Sequence, residues 1–261
     1  MEIGVLSEYI ALPDQTDFQM HSHTGYEIFC FLEGDADFMV EGTRYRLTPG
    51  DLLLMRQGES HHIVFRSPAP YYRIVVSFAT LAPLGAEMEA RLLRPFRDRS
   101  AGEYNRYAFA DFSEKNLRFY MERLAAAQDE EQKFCFLLPL LSELSDAFPI
   151  LREANTAEKH HAISSIVEYI NLHVCEPLTI ERLCKQFYIS RTHINRQFKK
   201  ITGATVWEYI TVKRLFLARE RMTAGTPPTK VYAECGFRDY TTFFRAYKKH
   251  FHASPRQIER Q

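Results

Sequence analysis

The chain has 261 residues, 46% of them hydrophobic and 25% charged, which suits two globular domains of ordinary composition. No run of 18 apolar residues occurs, which argues against a membrane-spanning helix, and the five cysteines form no C-x-x-C pair, which argues against a disulfide scaffold or a zinc finger. The net charge of zero combines −9 in residues 1–159, from 16 basic and 25 acidic side chains, with +9 in residues 160–261, from 17 and 8.

The N-terminal stretch, MEIGVLSEYI, is acidic and lacks the basic and apolar segments of a signal peptide, so we expect a cytoplasmic protein. Residues 20–80 then contain short apolar or alternating runs, such as YEIFCFLEG and YYRIVVSFA, which end in turn residues. Short strands with frequent turns predict an antiparallel sandwich or barrel. The segment VEGTRYRL predicts a hairpin whose turn is Glu41-Gly42.

From about residue 85 the apolar residues recur at helical spacing. One stripe consists of Leu117, Tyr120, Met121 and Leu124, and a broader one of Phe134, Leu137, Leu138, Leu141 and Leu144. These stripes fit the core of the same chain somewhat better than contact with a second subunit. We expect Pro139 to kink or break its helix, and the polar segment 152–160 to be a linker.

The remaining sequence is helical and contains an internal repeat at an offset of 49 residues. SRTHINRQFKKITGATVWEY (190–209) aligns with DYTTFFRAYKKHFHASPRQI (239–258), so that N-caps, apolar residues and lysine pairs coincide. Each copy is a helix, a short turn and a second, capped helix, which predicts a helix-turn-helix unit. We expect burial of Leu183, Ile194 and Phe198 in the first copy, and of Ala233, Phe243 and Tyr247 in the second.

The opposite side of each second helix is predicted to be free. It carries Thr192, Asn195, Arg196 and Lys199 in the first copy, and Thr241, Phe244, Arg245 and Lys248 in the second. Polar side chains with paired donors on a protruding helix suit the major groove, and trailing lysines suit phosphates. A single copy is equally compatible with an ordinary helical bundle, but two copies in a basic segment favour DNA binding. The basic charge alone also fits a solvated surface.

Two stretches here match a known family: LTIERLCKQFYISRTHINRQFKKITGATVWEYITVKRLFLARERM, and VYAECGFRDYTTFFRAYKKHFHASP with its specific run from Ala233 to Lys249. Residues of about 163–260 resemble the DNA-binding domain of AraC/XylS-type bacterial transcription regulators. His252 stands where that family usually has glycine, and Ile258-Glu259 replaces a Tyr-Arg pair. The resemblance implies four partners: double-stranded promoter DNA, RNA polymerase, a small-molecule effector and a second copy of the chain in a homodimer.

The resemblance also implies roles for single residues. Base contacts fall to Thr192, Asn195, Arg196, Tyr240, Thr241 and Arg245. Phosphate contacts fall to Arg191, Lys199, Lys200, Lys248 and Lys249.

The N-terminal part is similar to the cupin-type sensor domain that such regulators often carry. His21, His23, Glu27 and Gly34 satisfy the first cupin pattern, and Gly50, Gly58 and His61 satisfy the second, in which Arg56 replaces a proline. The implied fold is two-domain α+β. An antiparallel cupin β-barrel (about 10–82) and helices (about 85–151) form domain 1–151. After the linker, an all-α domain (161–261) holds helix-turn-helix units at about 179–202 and 229–251, joined by a long helix.

In such a barrel, His21, His23, Glu27 and His61 share one cavity, because residues two and four apart on a strand face the same side. Three imidazoles and a carboxylate can ligate a divalent transition metal. The same four side chains can instead form the polar part of an effector pocket. We favour a regulator that senses an effector, is not an enzyme and requires no cofactor. A metal-dependent cupin enzyme fused to a DNA-binding module and a ligand-free dimerising scaffold are the alternatives.

Overall fold

The computed structural model describes residues 2–15, 18–112, 116–154, 158–159 and 161–256. Contacts divide the chain into two compact units, Met1–Lys159 and His160–Gln261. In the described residues the first unit has the strands β1 (Ile3–Ile10), β2 (Tyr26–Glu33), β3 (Ala36–Val40), β4 (Thr43–Arg46), β5 (Leu52–Met55), β6 (His61–Phe65), β7 (Tyr71–Phe78), β8 (Arg106–Tyr107) and β9 (Glu158–Lys159). Its helices are α1 (Ala86–Arg97), α2 (Leu117–Ala126) and α3 (Glu130–Ala154).

The strands form two antiparallel sheets, one in the order β1-β7-β2-β5-β8 and one in the order β6-β3-β4-β9. The predicted hairpin is confirmed: Val40 pairs with Thr43, and Glu41 and Gly42 have φ values of 49° and 81°, as a tight two-residue turn requires. The predicted cupin-like antiparallel fold is confirmed, with one difference. The two sheets do not close into a barrel, because no ladder joins them among the described residues, and the larger sheet already begins at Ile3.

Alternating side chains give the larger sheet two buried faces. Phe29, Phe31 and Tyr71 belong to the core that includes residues of the smaller sheet. Ile28 and Val76, on the same strands with opposite phase, belong to the core that includes the helices. Burial on both sides explains why β2 is an almost continuous apolar run.

The helices of the first unit cover the outer face of the larger sheet. Both apolar stripes enter this core as predicted, with Leu117, Met121, Leu124, Leu137, Leu141 and Leu144 buried and Tyr120, Phe134 and Leu138 packed against them. Of the two predicted effects of Pro139, a break is excluded, since α3 continues through Pro139 and Pro149, and a kink stays a prediction. In the described chain α3 alone is long and apolar enough to cross a membrane, and its buried leucines identify it as a core helix.

The second unit is helical, with α4 (His161–Leu172), α5 (Ile180–Phe187), α6 (Arg191–Thr202), α7 (Val206–Thr223), α8 (Pro228–Glu234) and α9 (Tyr240–Phe251). The side chains of Thr179, Ser190 and Asp239 cap α5, α6 and α9 by accepting backbone N–H groups, which confirms the predicted caps. The α5–α6 and α8–α9 pairs are the two helix-turn-helix units, and α7 joins them.

One predicted core residue of the second unit is misplaced. Ala233 is exposed, and Val231 and Cys235 are buried with Phe243 and Tyr247 in its stead. The reason is the phase of α8, because buried residues at 228, 231 and 235 turn position 233 to the opposite side. The predicted linker, 152–160, overlaps the end of α3 and all of β9, and its residues 155–157 and 160 lie outside the described residues. The domain boundaries stay predictions.

Candidate functional site

The structure brings the four predicted residues of the first unit together between the two sheets. Glu27 lies on β2, and His61 begins β6 and forms a single β-bridge with His21. The ligand atoms of His21, His23 and His61 all lie within 4.8 Å of one another. Nε2 of His23 is 2.8 Å from Glu27 Oε2, and Nε2 of His61 is 3.5 Å from Glu27 Oε1. We call these four residues the histidine cluster.

Backbone carbonyls orient two of the imidazoles. Nδ1 of His21 lies 2.8 Å from the Gln19 carbonyl oxygen, and Nδ1 of His61 lies 2.8 Å from that of Glu59. In its neutral form, a ring that donates from Nδ1 keeps its lone pair on Nε2, so the neutral forms of His21 and His61 both present Nε2 as the atom that can ligate. Nε2 of His61 and of His23 is buried and makes no well-directed hydrogen bond with a described residue.

Glu27 and His61 shift each other's pKa in opposite directions within the histidine cluster. Burial alone would raise the pKa of Glu27, but the contacts with His23 and His61 outweigh it and hold that pKa well below its usual range. Burial alone would lower the pKa of His61, but the Glu27 carboxylate outweighs it and raises that pKa. Glu27 is therefore an anion at neutral pH, and its charge favours the protonated form of His61.

A cleft of about 640 Å³ opens beside the histidine cluster. Its wall includes His21, His23 and Glu27 from the predicted set, whereas His61 is 1% exposed and lies beneath the surface. The wall has other polar residues that were not predicted from the sequence, chiefly Arg73 and Ser77 on β7. The strand period of β7 could have indicated them, because side chains two apart face the same side and Tyr71, Arg73, Val75 and Ser77 therefore share one strand face.

The predicted DNA-contacting face of α6 is free of the core. Ile194 and Phe198 are fully buried, while Thr192, Asn195 and Arg196 are exposed on the other side. The predicted phosphate contacts Arg191, Lys199 and Lys200 are also exposed, and Arg191 lies 3.3 Å from Glu181. The buried and exposed residues of α6 thus separate by helical period, as they do in a recognition helix.

The corresponding face of α9 is partly aromatic. Thr241, Arg245, Lys248 and Lys249 are exposed as predicted. Tyr240 is half-buried, packs against Tyr232 and Phe244, and has its hydroxyl oxygen enclosed without a hydrogen-bond partner among the described residues. Among the six predicted base contacts, Tyr240 is therefore the one whose polar atom is farthest from solvent access.

A buried arginine links α7 to the segment between α4 and α5. Arg214 on α7 donates to the Val174 carbonyl at 2.8 Å and to the Glu176 carbonyl at 2.7 Å, beyond the end of α4. Gly236, in the α8–α9 turn with φ +82°, approaches so closely that a Cβ there would lie 2.8 Å from the Cys175 carbonyl oxygen. This link was not predicted from the sequence, and it joins residues 174–176 to α7 and to the turn between α8 and α9.

Both units match known protein families. Residues 6–91 match the family described as an AraC-like ligand binding domain, and residues 183–261 match a helix-turn-helix domain. The transcriptional activator RhaS of Escherichia coli is 24% identical over 257 residues, covering 94% of this chain and 88% of that one. The crystal structure of ToxT from Vibrio cholerae aligns with 98% of this chain and 96% of that chain at 11% identity, with a TM-score of 0.40.

A ligand-binding domain followed by paired recognition helices defines a DNA-binding transcription regulator, and the proteins it resembles are regulators rather than enzymes. The chain has the domain architecture of the AraC/XylS-type transcription regulators.

Proposed function

We propose that the chain binds promoter DNA sequence-specifically through α6 and α9, and that a small molecule in the cleft of the first unit changes this binding. The observation that carries the proposal is the α6 face, where Thr192, Asn195 and Arg196 are exposed opposite the buried Ile194 and Phe198. Threonine, asparagine and arginine offer the donors and acceptors that major-groove base edges recognise.

The two recognition helices act as a pair in this proposal. The connecting helix α7 has 18 residues and is therefore about 27 Å long at 1.5 Å per residue. Successive major-groove faces on one side of a duplex are about 34 Å apart, so a spacer of this length suits two neighbouring groove segments. The basic residues Arg191, Lys199, Lys200, Lys248 and Lys249 would contact the flanking phosphates.

Within this pair, α6 and α9 have unequal parts. Thr192, Asn195 and Arg196 are the principal base contacts. On α9, Thr241 and Arg245 are the corresponding contacts, while Tyr240 contributes through its ring beside Phe244. The aromatic part of this face suits thymine methyl groups rather than hydrogen-bonding edges.

The proposal is tested by measuring affinity for a duplex selected in vitro against the wild-type chain and for a scrambled duplex of equal length. Arg196→Ala should weaken specific binding by about 1–3 kcal/mol, and Lys199→Ala should weaken binding to both duplexes alike and reduce the salt slope by about 1. Lys230→Ala, an exposed lysine on α8, is the matched control. Unchanged specific binding by Arg196→Ala would show that α6 does not contact bases.

The effector acts in this proposal through unequal affinity for two states of the regulator, since a ligand with equal affinity shifts nothing. The proposal includes a homodimer on the promoter, contact with RNA polymerase and a cytoplasmic location. Sedimentation analysis with and without the selected duplex tests the dimer. A monomer under both conditions would remove the dimer from the proposal and leave the DNA-binding assignment unaffected.

The histidine cluster favours a second candidate property, which is the binding of a divalent transition metal. The specific observation is that carbonyl oxygens hold Nδ1 of His21 and His61, while three imidazole ligand atoms lie within 4.8 Å beside the Glu27 carboxylate. These residues fit such an ion, which would supply a Lewis-acid anchor for an effector oxygen. Metal analysis of untagged protein, with His61→Gln as the variant, tests this. Equal metal content in both proteins would exclude the histidine cluster as the site.

A further inference from the structure

In the second unit, residues that belong to both helix-turn-helix units meet beside α7. On the side of the first helix-turn-helix unit they are residues 173–177, which lie between α4 and α5 and which we call the α4–α5 connection. Glu176 Oε2 lies 2.7 Å from Nη2 of Arg182 on α5, and the Thr179 cap of α5 follows three residues later. The position of the connection is therefore tied to that of α5, on which the recognition helix α6 packs.

Arg214 binds this connection from the middle of α7. It is 5% exposed, and its Nε and Nη2 donate to the carbonyl oxygens of Val174 and Glu176 at 2.8 and 2.7 Å. Both acceptors are main-chain carbonyls rather than a carboxylate, and burial lowers the pKa of the guanidinium. An arginine buried on such acceptors gives up much of its hydration, but its planar donors hold two acceptors in one geometry. What Arg214 provides is therefore orientation rather than a strong ion pair.

Gly236, in the turn between α8 and α9, brings in the second helix-turn-helix unit. A Cβ at this glycine would lie 2.8 Å from the Cys175 carbonyl oxygen and 3.0 Å from Cζ and Nε of Arg214. Both Gly236 and Gly225 have a positive φ, +82° and +95°, but among the described residues a Cβ at Gly225 would meet nothing within 4 Å. The close approach is therefore particular to Gly236. We call Arg214, Gly236 and the α4–α5 connection the Arg214 junction.

We propose that the Arg214 junction sets the distance and the rotation between the recognition helices α6 and α9. The protein then discriminates between operators by the number of base pairs that separate the two segments these helices contact. The physical reason is that two units joined only through one helix can rock against each other. A further contact, between the α4–α5 connection and the α8–α9 turn, restricts that motion. The inference rests on the proposed function, because it requires both recognition helices on one duplex.

For a rigid pair of helices, spacing is a strong discriminator. One additional base pair moves the second segment by about 3.4 Å along the duplex and rotates it by about 35°. A rigid protein then contacts both segments only if the duplex bends or twists, which costs free energy, whereas a loosened protein adjusts instead. Loosening also lowers the effective concentration of α9 once α6 is bound, so affinity at the best spacing falls.

The test compares the spacing profiles of full-length variants. In the duplex selected against the wild-type chain, the segments that α6 and α9 contact are located by the base-pair changes to which Arg196→Ala and Arg245→Ala become insensitive. Duplexes with one or two base pairs inserted or removed between these segments are then titrated by fluorescence anisotropy at fixed salt. We expect the wild type to lose at least about tenfold in affinity per base pair of altered spacing.

Arg214→Met, Arg214→Lys and Gly236→Ala should flatten this profile to about threefold or less per base pair, and should weaken binding at the best spacing. Duplexes that keep only the α6 segment should bind the variants and the wild type alike, because the recognition helix itself is intact. Gly225→Ala is the matched control. It places alanine at a comparable positive φ without the close contact, so it should keep the wild-type profile.

Unchanged spacing profiles in the junction variants would overturn the inference, even if their thermal stability or overall affinity fell, because the junction would then only stabilise the fold. A wild type whose affinity does not depend on spacing would overturn it as well. Failure of the proposed function is distinguishable, since Arg196→Ala and Arg245→Ala would then leave specific binding unchanged at every spacing, which would remove both. Circular dichroism verifies folding, and the substitutions alter different members of the junction, so a misfolded variant leaves another as the test.

Discussion

Replacing Glu59 by glutamine should destabilise the first unit more than any surface substitution. Glu59 and Arg99 are both fully buried, and the carboxylate accepts from Arg99 Nη1 and Nη2, each at 2.7 Å. It also accepts from the Gly102 backbone N–H at 2.9 Å and from Asn105 Nδ2 at 3.1 Å. Glutamine retains the shape but loses the charge, and its amide group would face donors instead of acceptors.

Two estimates of the magnitude agree. Burial alone would raise the pKa of Glu59, but Arg99 outweighs it and lowers that pKa from 4.5 to about 2, which corresponds to about 3 kcal/mol at 1.36 kcal/mol per unit. Breaking a buried ion pair costs about 3–5 kcal/mol. Arg99 keeps its bonds to the Pro95 and Leu54 carbonyls, which favours the lower end of that range, so we expect about 3 kcal/mol.

The same interaction fixes the direction of the pH dependence. Because the pKa of Glu59 is lower in the folded state, the stabilisation is complete above the unfolded pKa of about 4.5 and is lost as the pH falls through about 2. The wild-type first unit should therefore lose stability between these values. Glu59→Gln should show a weaker loss over the same interval, because it has no proton to take up at this position.

Urea unfolding with two probes measures the effect. The single tryptophan, Trp207, lies on α7, so its fluorescence reports the second unit, while far-ultraviolet circular dichroism reports both. Glu59→Gln should shift the dichroism transition and leave that of Trp207 in place. Glu89→Gln, which removes a partly exposed ion pair with Arg97, is the control and should change stability by less than about 1 kcal/mol. Equal effects of the two substitutions would refute the reasoning.

Two further substitutions test one position in each unit. His252→Gly should stabilise the second unit by about 0.5–1 kcal/mol, because His252 ends α9 in the left-handed region at φ +53°, and glycine adopts this region without strain, as Gly203 does at the end of α6 with φ +77°. A lower midpoint of the Trp207 transition would contradict this prediction. Leu144→Ala should destabilise the first unit by about 2–5 kcal/mol, because Leu144 is fully buried; a loss below about 1 kcal/mol in urea unfolding followed by circular dichroism would show that the position is not core.

The second unit could be predicted closely because its determinants are local. Caps at Thr179, Ser190 and Asp239 and the helical spacing of apolar residues lie within one or two turns of the elements they define. The error at Ala233 has a local cause as well. Alignment of the repeat showed which residues of the two copies correspond. The side of α8 that faces the core depends on where this helix begins, and the alignment did not give that residue.

The first unit could be predicted only in outline, because its determinants are distant in the chain. Strand period and turns identified the sheets, but closure depends on pairings between segments that no local pattern connects. The Glu59–Arg99 pair joins residues 40 apart, and Arg99 lies in a segment without apolar periodicity. Arg73 was missed for a related reason, since its place in the cleft wall becomes visible only when β1, β7 and Phe18 are in place.

The histidine cluster and the buried Glu59 are physically one assembly, and this changes what the cupin-like motif contributes. His61 donates from Nδ1 to the Glu59 carbonyl, while the Glu59 carboxylate holds Arg99 and Gly102. His61 is 1% exposed, whereas His21, His23 and Glu27 line the cleft, so an effector bound there as proposed would contact these three residues rather than His61. The backbone carbonyl of Glu59 thus orients the His61 ring, while the carboxylate of the same residue binds Arg99 in the interior. The residues that make the motif resemble a metal site thus also connect the cleft to the interior of the unit.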